Sequence, residues 1–168
     1  MAEAVAHFVL SVLSGVPAWL KIIVLAMVPV TEYQLAIPYA VERFYFSPAA
    51  AYALALGGSA LLFFPLFFGL ELLRAALTKV CPPLLRPLDA FLLRAEHKLK
   101  NSYEKYGALA LFFFLAIPFP FTGIWTATTA AVVLKIPFRG AAVGIFLGVL
   151  VGQAIVLAAT LGIGTLLA

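Results

Sequence analysis

Three uncharged runs constrain this chain more than any other feature. Residues 47–70, 106–134 and 140–168 hold no Asp, Glu, Lys or Arg across 24, 29 and 29 positions. About 20 apolar residues suffice to cross about 30 Å of hydrocarbon. Only 11% of the chain is charged, where a soluble domain carries roughly 25%. Water therefore cannot solvate most of the surface. The chain reads as an all-α, multi-pass protein of the cell membrane, with residues 1–168 in a single integral domain. Residues 4–13 are apolar enough for a short interfacial or inserted helix. Glu3 precedes them without a basic stretch, so this segment is expected to stay in the mature protein rather than be cleaved as a signal.

The three runs are not alike. The first opens on Ser47-Pro48, a good N-cap and first-turn pair, and reads as a full crossing that stops before Glu71. The third follows Pro137 and carries Gly140, Gly144, Gly148 and Gly152, four residues apart and so on one helix face. Small residues at that spacing let a second helix approach closely in lipid. That second helix is expected to be internal; the alternative is a second copy of the chain in a homodimer. The middle run contains Pro118-Phe119-Pro120 near its centre, followed by Thr122-Gly123. Proline removes a backbone donor and clashes with the preceding turn, so the pattern predicts a break between residues 107–117 and 122–134. Each piece then spans about half a bilayer, as in a re-entrant hairpin. Pro29 and Pro38 bracket a similar interruption nearer the start, with Thr31, Glu32 and Gln34 between them.

Displacing the chain 89 residues along itself lays Pro29 on Pro118 and Pro48 on Pro137. In each copy a proline-broken segment precedes a full crossing, which sets repeat 1 at about residues 19–70 and repeat 2 at about 106–168. Between them, residues 71–105 hold seven bases (Arg74, Lys79, Arg86, Arg94, Lys98, Lys100, Lys105) against four acids (Glu71, Asp89, Glu96, Glu104). Basic loops tend to stay cytoplasmic, so this linker is expected inside the cell, against anionic membrane lipids. Within it Leu84, Leu85, Leu88, Phe91, Leu92, Ala95 and Leu99 share one stripe, as in an amphipathic helix on the membrane surface. Apolar residues interrupt the bases throughout, so nucleic acid is not an expected partner. With the linker inside, the first broken segment enters from outside and the second from inside. Opposite topology of two such copies is the arrangement of secondary transporters, whose site lies at the midplane.

Few side chains could carry chemistry at that depth. Glu32 leads. A carboxylate costs several kcal/mol to bury as an isolated anion, and ionisable residues inside membranes are functional by default; exchange of a proton there would couple transport to a proton gradient. Arg139 follows Pro137 at a helix start, where free N–H groups and positive potential suit a phosphate. Gln34 could bond a headgroup, and Thr122-Gly123 opens the second half-helix with further N–H donors. Cys81 is the one cysteine, which excludes an internal disulfide or a paired-thiol metal site. No nucleotide-binding loop, hydrolase pattern or metal-ligand spacing occurs, so neither an enzyme nor a cofactor is expected.

The same residues carry a family resemblance. Glu32-Tyr-Gln-Leu-Ala-Ile-Pro38 resembles an E-L-R-x-A-I-P segment. Lys105-Tyr-Gly107-Ala-Leu-Ala-Leu-Phe and Ile117-Pro118-Phe-Pro120-Phe-Thr122-Gly123-Ile-Trp125-Thr126 resemble K-Y-G-x-x-A-L and I-P-L-P-G-T-G-x-W-T. These belong to the family called putative small multidrug export proteins, related to the DedA or VTT-domain superfamily, and the likeness runs from about Ala26 onward. Gln34 stands where the family usually has Arg, and Phe121 where it often has Gly. The resemblance implies a membrane transporter. The wider superfamily implies movement of an anionic lipid, a polyprenyl phosphate or phospholipid, with Glu32 in the place of its first-hairpin acids and Arg139 in that of its later arginines. Lipid translocation is the leading expectation, followed by proton-coupled export of small cationic drugs and then by a non-transporting scaffold.

Overall fold

The computed structural model describes residues 2–80, 103–118 and 123–167. The surface helix expected at 84–99, and Pro120 and Thr122 of the second break, lie outside these residues. The described chain is helical without strands: α1 (Ala2–Val12), α2 (Ala18–Met27), α3 (Glu32–Pro38), α4 (Pro48–Val80), α5 (Tyr103–Ala116), α6 (Ile124–Val133) and α7 (Phe138–Leu167), with a π-helical turn over Tyr39–Arg43. Two stretches, Pro48–Leu73 in α4 and Phe138–Gly162 in α7, are long and apolar enough to cross a membrane.

These two helices form the centre. Helix α2 packs on α4 and α5 on α7, while α3 and α6 each touch both long helices. The close approaches in the two halves match. A Cβ on Gly58 would lie 2.6 Å from the Ile23 carbonyl oxygen and 2.8 Å from the Ala26 Cβ; one on Gly148 would lie 2.7 Å from the Phe112 carbonyl oxygen and 2.8 Å from the Leu115 Cβ. Ile23 and Phe112 are 89 positions apart, as are Ala26 and Leu115. Only glycine allows backbone this near. Gly144 and Gly152 likewise face the backbone of α5, so the glycine face of α7 packs internally. The outer faces are apolar: Val143, Leu147, Val151 and Ile155 of α7 are exposed, whereas Ala141, Ile145 and Val149 are buried. Apolar residues on both faces depart from the usual soluble pattern and fit a lipid solvent. Toward the start of α7, Phe138 and Phe146 pack against Phe63 with ring centroids 6.0 and 5.2 Å away.

Helix ends agree with the local code in several places. Ser47 caps α4, its Oγ accepting from the Ala50 N–H at 3.3 Å. After α6, Lys135 takes φ 54°, and the Lys135 and Ile136 N–H groups donate to the Val132 and Ala131 carbonyls at 3.2 and 2.9 Å. This is the paired closure of a Schellman cap. Tyr45, at φ 55°, plays a similar part after the π turn, with the Phe46 N–H bonded to the Ala40 carbonyl at 2.9 Å.

Two expectations need correction. Pro38 does not break its helix: it keeps helical φ and ψ (−54°, −45°) and leads into the π turn. The π turn that follows opens the ladder by one residue, the Phe44 N–H bonding to the Tyr39 carbonyl at 3.1 Å. The chain leaves helical conformation only after Arg43. Helix α4 also continues past Glu71 to Val80, because Glu, Arg and Lys end an apolar run but are themselves good helix formers.

Candidate functional site

The two interruptions meet each other. Between α2 and α3 the chain turns at Val28–Thr31, with Pro29 inside the turn; between α5 and α6 it leaves the helix at Ile117 and Pro118. An interrupted helix leaves carbonyls at one end and N–H groups at the other without partners, and lipid supplies none. Here the partners come largely from the opposite half. The Trp125 indole donates to the Met27 carbonyl, the last of α2, at 2.8 Å. The Tyr33 hydroxyl donates to the Leu115 carbonyl, in the last turn of α5, at 3.0 Å. Trp125 and Tyr33 are each the second residue of their helices. Within the first turn, the Thr31 hydroxyl donates to the Leu25 carbonyl at 2.6 Å.

Glu32 closes the arrangement. It is only 7% exposed, and its Oε2 accepts from the Ile124 N–H, the first of α6, at 2.9 Å. The Trp125 N–H also reaches this carboxylate. An acidic group at a helix N-terminus meets free donors and positive potential. Among the described residues its partners are backbone N–H groups, not a lysine or arginine. Gly123 makes room: a Cβ there would collide with the Glu32 carboxyl group. Val30 and Glu32 hold positive φ values of 77° and 39°. Such backbone is costly for non-glycine residues, most of all a β-branched one, and persists only where surrounding structure over-determines it.

The other candidates fall into two groups. Gly123 lies against Glu32, and Gln34 follows in the first turn of α3, half-buried and itself engaged in an interaction. Arg139 is exposed in the first turn of α7, beyond the far end of α6. The ten residues of α6 separate that end from Glu32 by about 15 Å. Glu32 and Arg139 therefore do not form one pocket. The start of α6, expected to offer N–H groups to an anion, is filled by the chain's own anion. Tyr33 and Trp125 are not among the candidates the sequence singled out; their polar tips, two places into each half-helix, were the available signal. An open groove of about 470 Å³ along α6, lined by Trp125, Thr126, Thr129, Ala130 and Val133, begins beside the cap. No group of three or more His, Cys, Asp or Glu among the described residues could hold a metal ion.

Comparison with known proteins gives one assignment. Neither the curated proteins nor the solved structures contain a match to the chain. A family model described as "Putative small multi-drug export protein" matches residues 32–155, from the capping glutamate through most of α7. With about three-quarters of its length matched, and two apolar helices long enough to span a bilayer, the chain belongs to that family of membrane proteins.

Proposed function

We propose that this protein exports small cationic molecules in exchange for protons, with Glu32 as the group that binds each in turn. The observation that carries this reading is the buried carboxylate held by backbone dipoles rather than by a basic side chain. Dipoles soften such a charge but do not neutralise it. A proton or a cationic cargo would complete the neutralisation, and binding of either would compete with the hold on α6. The groove along α6 offers a way to that point. The family description, which names drug export, agrees with an exporter.

The two halves are well suited to alternate access. Their matching glycine approaches, onto residues 89 positions apart, the crossed caps of Tyr33 and Trp125 and the basic linker support an inverted repeat of re-entrant pairs. In that scheme the breaks converge from opposite leaflets and residues 71–105 are cytoplasmic. Translocation of an anionic lipid, which a resemblance to the DedA superfamily would imply, has less support: the helix start that would take a phosphate is occupied by Glu32, and Arg139 stands apart.

Purified protein in proteoliposomes separates the readings. Under an imposed pH gradient the wild type should move a cationic dye. Glu32→Gln keeps a hydrogen-bond acceptor for the Ile124 N–H but removes the exchangeable proton, and should cut that movement at least about tenfold. Arg139→Ala should leave it near wild type. Lipid flipping without dye movement would reverse the preference, and neither activity would favour a scaffold.

A further inference from the structure

A second buried polar contact lies in the interface of the two long helices. Gln153 of α7 and Ser59 of α4 are 0% and 1% exposed, and the Gln153 Nε2 donates to the Ser59 Oγ at 3.3 Å. The other end of the amide, Oε1, is fully buried and meets no donor among the described residues. Both residues sit within about one helical turn of the middle of their spans. Gln153 adjoins Gly152, whose missing side chain leaves space filled by the Tyr33 hydroxyl. The amide is thus one residue along α7 from the ring that follows Glu32. Buried acceptors are nearly always paired, and packing α4 on α7 does not require an amide: elsewhere they meet through phenylalanines.

We propose that Gln153 Oε1 accepts a hydrogen bond from the N–H of the transported cation, so that Ser59 and Gln153 form a second contact point and Glu32 the first. This rests on the export reading above. It predicts a preference the carboxylate alone cannot supply. Glu32 answers to charge, which all organic cations share. The Gln153 acceptor distinguishes an ammonium that carries N–H from a quaternary one that does not, and Ser59 holds the amide in place.

The test uses one fluorescent dye in two forms, as a primary ammonium and as its trimethylammonium analogue, in proteoliposomes under a pH gradient. Wild-type protein should transport the primary form with the lower KM. Gln153→Leu should raise that KM about tenfold, the worth of one well-made hydrogen bond, and leave the quaternary form within about twofold. Ser59→Ala should act in the same direction more weakly. Thermal unfolding in detergent provides the second readout, with Gln153→Leu expected within about 2 °C of wild type. Equal losses for both dye forms, or a large drop in unfolding temperature, would make Gln153 a structural residue and overturn the inference. Transport of neither form by the wild type would instead overturn the export reading, and the inference with it.

Discussion

At the level of single residues, the arrangement turns on the space that Gly123 leaves. Its backbone is extended (φ −127°, ψ −173°), a conformation open to any residue, so conformational freedom is not what the position needs. What it needs is the absence of a Cβ, because the Glu32 carboxyl group fills that volume. Gly123→Ala should therefore expel the carboxylate from the start of α6 and cost about 1–3 kcal/mol, the usual range for an added group in a filled site. Transport should fall together with the loss of stability. Measurement of both dye efflux and thermal unfolding checks this; full activity with Ala at that position would show that the cap is dispensable. The residue types here were readable in advance, since Glu32 and Gly123 stood out as a charge and a turn within an apolar run. That one would be the ligand of the other's helix was not readable, because 91 positions separate them and no local pattern connects the two.

At the level of elements, proline content and helix breaks part company. Pro65 lies inside α4 and Pro38 at the end of α3 without interrupting either, whereas the stretches holding Pro29 and Pro118 are not helical. A proline removes one donor wherever it sits. Whether the chain then leaves the helix depends on whether something else will bond the freed groups, and in lipid only protein can. At Met27 and Leu115 the Trp125 and Tyr33 side chains do so. Glycine spacing, by contrast, translated directly into packing. Gly148→Val should push α5 from α7, because its Cβ would fall 2.7–2.8 Å from Phe112 and Leu115, and Gly58→Val should do the same between α2 and α4. Each is expected to destabilise by about 1–3 kcal/mol. Near-equal losses in thermal unfolding would match the equivalence of the two contacts.

At the level of the whole molecule, the proposed opposite orientation of the halves makes a directional prediction. Tyr45 and Lys135 both hold positive φ just ahead of a long helix. If the repeats are inverted, they face opposite sides of the membrane. In a Cys81→Ser background, Tyr45→Cys should react with an impermeant maleimide added to intact cells, and Lys135→Cys only after permeabilisation. Labelling of both from one side would exclude the inverted arrangement. The basic linker, with seven bases against four acids, sets the expected polarity.

By itself, the amino-acid order determined the solvent and the rods. Long uncharged runs can only be satisfied in lipid, and a helix is the one open-ended structure that bonds its own backbone there. It also determined where small residues permit close approach, since that depends on the spacing along one face. Tertiary structure alone decided what the interruptions are for. Orphan carbonyls and N–H groups must find partners by proximity in space, and the groups that satisfy them here come largely from the other half of the chain. Those contacts made Glu32 a helix cap as well as a buried charge, left Arg139 out of its reach, and set the Tyr33 hydroxyl against Gly152.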